Sequence, residues 1–120
     1  MSWVYDVRKR SFTWNGKYQF SARYAGAEGY KDNPDYECLK DKGPLPRGKY
    51  RIGRPIALHP KAGRYVLRLT PLAGNSMCDR DGFLIHGDNG KGTASNGCIV
   101  LEPAFRAFIA DSGDTELIIL

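Results

Sequence analysis

Gly82-Phe83-Leu84-Ile85-His86-Gly87-Asp88-Asn89, followed closely by Ser95-Asn96-Gly97-Cys98-Ile99-Val100-Leu101, decides how this chain is read. An apolar run ends on a histidine, a Gly-rich loop follows, and a cysteine opens the next apolar run. Short apolar runs of this kind read as buried β-strands. A strand end holds a side chain rigidly yet leaves it open on the loop side, which suits a nucleophile and its base. A free thiol has a pKa near ~8.5 and is mostly protonated at neutral pH, so a reactive cysteine needs an imidazole or backbone dipoles to stabilise its thiolate. His86 is the candidate imidazole for Cys98. Gly97 lets a substrate approach the backbone, and the N–H groups of Gly97 and Cys98 are candidates to face a developing oxyanion. Ser95 and Asn96 carry short side chains suited to fixing the loop or orienting the imidazole, and Ser95 is also a candidate catalytic hydroxyl.

Outward from this segment, alternation of apolar and polar residues predicts strands at Trp3 to Val7, Ser11 to Trp14, Lys17 to Phe20, Tyr50 to Ile52, Arg64 to Leu69 and Phe83 to Ile85. Asn15-Gly16 between two of them is a strong hairpin signal. Tyr24 to Lys49, rich in Gly, Pro, Asp and Lys, reads as one long loop, and a long loop in a small domain is often functional. Glu102 to Asp111 is the one helix expected, with Pro103 in its first turn, Phe105, Phe108 and Ile109 on one face and Gly113 beyond its end. Thr115 to Leu120 closes the chain as an apolar strand. The expected fold is therefore mostly β, with one short C-terminal helix.

A chain of 120 residues with 42% hydrophobic content can bury one core but not two, so residues 1–120 are expected to form one domain. No apolar run approaches the length of a membrane span. Met1 to Arg10 lacks the apolar core of a Sec signal peptide, so any export is expected to use another route. The net charge of +5 favours anionic partners such as a polyanionic wall, although a solvated basic surface is the plainer reading. The Lys and Arg residues are dispersed and accompany no RNA-recognition, zinc-finger or helix-turn-helix pattern, so nucleic-acid binding is set aside. No cofactor or metal is expected, because a zinc site built from His59, Cys78, His86 and Cys98 would lack any Cys-x-x-Cys or His-x-x-x-His clamp.

The His-Gly pair and the later Ser-Asn-Gly-Cys-Ile run resemble the signature of L,D-transpeptidase catalytic domains, the YkuD-like family. His86, Gly87, Ser95, Gly97, Cys98 and Ile99 match it by type and order. The segment Gly43-Pro44-Leu45-Pro46-Arg47-Gly48-Lys49-Tyr50-Arg51-Ile52 is similar to a Gly-x-(Ile/Leu)-Pro-x-Gly-x-Tyr-x-Ile stretch of the same enzymes. Two departures stand out. Only eight residues separate His86 from Ser95, and Val100 occupies the position of a substrate-contacting arginine. Together with the small size and the absence of a Sec signal, these features look like the L,D-transpeptidase effectors of type VI secretion.

The resemblance implies a small β-sandwich or β-barrel in which Cys98 attacks a peptidoglycan tetrapeptide stem, with His86 as base and a thioester as intermediate. It also implies a protein made in the bacterial cytoplasm and secreted into a target cell's periplasm. Peptidoglycan stems, a cognate immunity protein and secretion machinery would be its partners, and a monomer is expected. The alternatives are a catalytically silent wall-binding module and a housekeeping wall enzyme. Gly87 and Gly97 are either oxyanion-side positions or purely conformational ones, and Asp88 is either a solvated acid or a group orienting His86 or a substrate amine. Arg80 is read as a substitute carboxylate binder or as a surface ion pair. Cys38 and Cys78 either pair in the periplasm, leaving Cys98 free, or remain structural thiols.

Overall fold

The computed structural model describes residues 2–120; Met1, the first residue of the segment weighed as a signal peptide, lies outside them. Strands β1 (Trp3–Asp6), β2 (Ser11–Trp14) and β3 (Lys17–Ser21) form a meander whose second turn is Asn15-Gly16, as the sequence predicts. Then come β4 (Tyr24–Ala25), β5 (Gly48–Ile52), β6 (Ile56–His59), β7 (Gly63–Pro71), β8 (Leu84–His86) and β9 (Ile99–Val100). Helix α1 (Pro103–Asp111) and β10 (Glu116–Ile119) finish the chain. Among the described residues no helix is long and apolar enough to cross a membrane.

These strands make one sheet in the order β3-β2-β1-β10-β5-β7-β8-β9-β4, with β6 added to β7. Its two edge strands, β3 and β4, are joined by Ala22 and Arg23 alone, and a chain advances only about 3.3–3.6 Å per residue. The edges must therefore lie close together, so the sheet is curled almost shut. The Ala22 N–H donates to Arg10 O and the Arg23 N–H to Val100 O, one bond reaching back to each side of the gap.

Curling turns one face of every strand but β6 into a common core. Trp3, Tyr5, Leu67, Leu69, Ile85, Ile99, Leu101, Leu117 and Ile119 are buried together there. At one end Trp3 stacks on Trp14 with ring centroids 5.4 Å apart, and Phe20 stacks on Phe105 of α1 at 4.3 Å. Such pairs add about 0.5–1.5 kcal/mol each beyond their area burial, so the aromatic cluster fastens α1 to the β1–β3 meander.

Two expectations fail. The stretch from Tyr24 to Lys49 is not one loop: it contains β4, a 3-10 turn at Pro34–Tyr36 capped by Asn33, and the start of β5. Leu45 within it is fully buried, and its N–H donates to Gly97 O, so tertiary contacts order a segment whose composition reads as irregular. Strand β6 also went unread, because Ala57 and Leu58 on it are exposed and the hairpin projects beyond the core.

Candidate active site

Strands β8 and β9 pair in parallel, with Ile85 opposite Ile99 and His86 opposite Val100. Alternation sends Ile85 and Ile99 into the core, so Leu84, His86, Cys98 and Val100 share the opposite face. Cys98 and His86 thereby line one cleft of about 740 Å³. A parallel pair requires a crossover connection, and residues 87–98 provide it.

The His86 imidazole is buried, and its Nδ1 lies 2.7 Å from the Gly87 carbonyl oxygen. A carbonyl can only accept, so Nδ1 carries the hydrogen and Nε2 keeps the lone pair a base needs. Burial pushes the His86 pKa below its ordinary value, and the nearby Arg106 guanidinium lowers it further, while the Gly87 bond works in the opposite direction. Cys98 is the free thiol and is half-buried. Burial pushes its pKa up, opposed by the backbone N–H groups of Leu84 and of Cys98 itself and by the charge of Arg80. The resting pair is thus a neutral thiol and a neutral imidazole.

The loop that carries Cys98 is held from below by Ser95. Its Oγ donates to Cys98 O at 2.6 Å and accepts from Gly26 N and Gly97 N, each at 3.0 Å. One donor and two acceptor positions are all that a hydroxyl offers. The Gly97 N–H, expected to face an oxyanion, is therefore occupied, because Ser95 lies inside the loop rather than on the cleft. Gly97 itself has φ +145°, and a Cβ there would stand 2.7 Å from Arg80 Nη2 and 2.8 Å from a Phe83 ring carbon. Asn96 is exposed beside the cleft, and its carbonyl, rather than its side chain, makes the contact that anchors the loop.

Arg80 departs most from the sequence reading. It is neither a surface ion pair nor a free carboxylate binder: its side chain is 6% exposed. Nη1 donates to Glu37 O and Pro44 O, and Nη2 to Gly43 O and Asn96 O, at 2.5–3.1 Å. Glycine, proline and irregular backbone leave these carbonyls without a sheet partner, and one guanidinium satisfies them all. Arg80 thus clamps the segment before β5 to the loop before β9. The Cys38–Cys78 disulfide adds a covalent tie across the same junction, with Cα atoms 5.2 Å apart.

Asp88 does not bond to His86. Its Oδ1 accepts from Tyr24 Oη at 2.6 Å, and Tyr24 Oη in turn accepts from Ala94 N at 2.9 Å. That bond holds the Asp88 carboxyl below its usual range, while burial and the bond to Asp88 push Tyr24 up to about 12. Lys31 Nζ lies 4.1 Å over the Tyr24 ring and donates to Gly92 O. Tyr24 and Lys31 therefore pin the loop between the two motif halves, a role that no local pattern announces. Arg106 was missed as well. Buried on α1, it lies 3.2 Å from where a Gly87 Cβ would stand, which explains the glycine after His86. Its position three residues before Ile109, on the buried stripe, was the available signal.

The chain resembles L,D-transpeptidase 1 of Mycobacterium tuberculosis, with 16% identity over 99% of this chain and 60% of that one and a TM-score of 0.53. An L,D-transpeptidase from Mycobacterium smegmatis is 18% identical, covering 99% and 58% with a TM-score of 0.53. One from Stackebrandtia nassauensis is 15% identical, covering 99% and 54% with a TM-score of 0.57. At such identities the likeness is one of fold, and this chain spans between 54% and 60% of those solved chains. No curated protein sequence matches it significantly. The sequence profile of the Tlde1 domain matches residues 19–112. With that profile spanning most of the chain, and with an L,D-transpeptidase fold placing Cys98 and His86 in one cleft, the chain belongs to the Tlde1 domain family, a type VI effector L,D-transpeptidase family.

Proposed function

We propose that this chain is a cysteine acyltransferase acting on peptidoglycan tetrapeptide stems, chiefly as an L,D-carboxypeptidase and D-amino-acid exchanger. The observation that carries the reading is His86, with its lone pair directed away from Gly87 O, in the same cleft as the free Cys98 thiol. As Sγ attacks the carbonyl at the L-centre of diaminopimelate, His86 Nε2 takes the thiol proton. The C–N bond then breaks, that proton passes to the departing D-Ala amine, and a thioester remains on Cys98. Water releases a tripeptide and restores the thiol, whereas a D-amino acid amine re-forms a tetrapeptide. The backbone N–H groups of Leu84 and Cys98, which oppose the upward shift of the thiol pKa, support the transient thiolate.

Family membership supports delivery by type VI secretion to the periplasm of a rival cell, where an immunity protein made by the producer would protect kin. The short, pinned loop between His86 and Ser95 supports small acceptors over a second stem, since it builds no wall over the acceptor side. Mass spectrometry of purified disaccharide-tetrapeptide incubated with the protein tests this. Tripeptide is the expected product, with exchanged tetrapeptide when D-amino acids are added and neither product with Cys98→Ala. Unchanged substrate with the wild-type protein would favour a silent wall-binding module, and a majority of cross-linked dimers would overturn the preference for small acceptors.

A further inference from the structure

Arg68, Leu84 and Cys98 stand in one row across three strands. Arg68 is opposite Leu84 in the β7–β8 register, and the β8–β9 register continued back by one residue sets Leu84 beside Cys98. Their neighbours Leu67, Leu69, Ile85 and Ile99 all enter the core, so this row faces the cleft, and each of its members lines it. Strands lie about 4.8 Å apart, so roughly 10 Å separates the Arg68 and Cys98 backbones. An arginine side chain and one amino-acid residue together bridge that gap.

Lys40 and Lys61 also line the cleft, but each offers single-atom donors in place of a planar fork, and the arginines near it are held elsewhere. Arg80 is spent on four carbonyls, Arg106 lies behind Gly87, and Val100 stands where the motif arginine would be. Arg68 is exposed, and among the described residues its guanidinium has no ion-pair partner. His59, at the end of β6, lines the same cleft. Its Nδ1 accepts from Lys61 N and Ala62 N at 3.1 Å each, which in the neutral ring leaves the hydrogen on Nε2 as a donor.

We infer that Arg68, assisted by His59 Nε2–H, seats the carboxylate of the D-amino acid next to the scissile bond, both as that residue leaves and as a free D-amino acid enters. The inference rests on the acyl-transfer reading for its substrate. Its physical content is a planar fork of donors that grips a carboxylate through two parallel bonds, at one residue's distance from the nucleophile.

Alkylation of Cys98 tests the seat without any turnover. Iodoacetate carries a carboxylate and iodoacetamide does not, and each loses iodide as its carbon joins Sγ. At low salt, the ratio of iodoacetate to iodoacetamide rates at Cys98 should exceed that of glutathione. Arg68→Gln should lower the ratio about tenfold, Arg68→Lys should keep part of it, and Lys61→Gln, an equal change of charge on the same cleft, should leave it nearly intact. A ratio unchanged by Arg68→Gln, or lowered as much by Lys61→Gln, overturns the proposal. With stem tetrapeptides, the wild-type protein should prefer the free acid over the C-terminal amide, and Arg68→Gln should erase that preference mainly through KM. A wild-type protein that shows the alkylation preference yet turns over no stem peptide would sink the proposed function and leave this carboxylate seat standing.

Discussion

His86 Nδ1 sits 2.7 Å from the carbonyl oxygen of its own neighbour, Gly87, so a backbone atom fixes which imidazole nitrogen can accept a proton. Any side-chain acid in that role would bring its own titration; a carbonyl does not. With the His86 pKa pushed down by burial and by Arg106, and with the Cys98 pKa pushed up by burial, the competent form is the neutral pair. Its population falls at acid pH as His86 gains a proton. The acid limb of kcat/KM is therefore expected below the ordinary histidine value. Alkylation of Cys98 by iodoacetamide should rise with a midpoint above the ordinary thiol range, and a rate already flat at neutral pH would indicate an ion pair instead. Charges facing His86 come from Arg106 on α1, His59 on β6 and Asp88 after β8. Arg106→Met should move the acid limb upward, because it removes the lowering charge.

Ser95 Oγ has all its capacity in use, and Ser95→Ala leaves two buried N–H groups and one carbonyl without it. Each orphaned group costs about 1–3 kcal/mol. A lower Tm and slower turnover are expected, with the pH profile unmoved, because the hydroxyl shapes the loop rather than relaying protons. A shifted acid limb in Ser95→Ala would return the residue to the proton path.

Arg80→Met should be among the most damaging single changes, with a loss of roughly 3–5 kcal/mol in chemical denaturation, since four buried or half-buried carbonyls lose their donor at once. Arg80→Lys should rescue little, because a lysine offers three donors on a single atom in place of a planar fork. Gly97→Ala should resemble Arg80→Met, since its Cβ collides with the same guanidinium in a conformation that L side chains rarely adopt. A Gly97→Ala protein with wild-type Tm would contradict the clamp.

Reduction of the Cys38–Cys78 bridge, which spans a sequence separation of 40, is expected to cost about 4 kcal/mol if loop entropy dominates. The bridge adjoins Glu37, whose carbonyl takes one Arg80 N–H, so activity should fall together with stability. Thermal melts and muropeptide assays with and without reductant, compared with a Cys38→Ser/Cys78→Ser protein, check both effects. Equal melts would show that the Arg80 clamp holds the junction unaided.

Elements with a strong local period were legible from the chain itself. The meander around Asn15-Gly16, the long strand through Leu67, the helix opened by Pro103 and the final apolar strand all emerge, because propensity and burial point the same way there. Cys98 and His86 were legible as a pair for a related reason: rare, reactive residue types end or open apolar runs, and each strand end needs little beyond its own sequence. What only the tertiary structure decided is how the ground beneath them is held. Arg80 and Tyr24 act through backbone groups 16 to 70 residues away and Arg106 through packing against Gly87, and the sequence does not say which carbonyl a guanidinium will meet. Hydrogen bonds to irregular backbone depend on the curl that brings β3 and β4 together, a property of the whole sheet. The row from Arg68 to Cys98 arises the same way, since strand register is set by core burial on the opposite face.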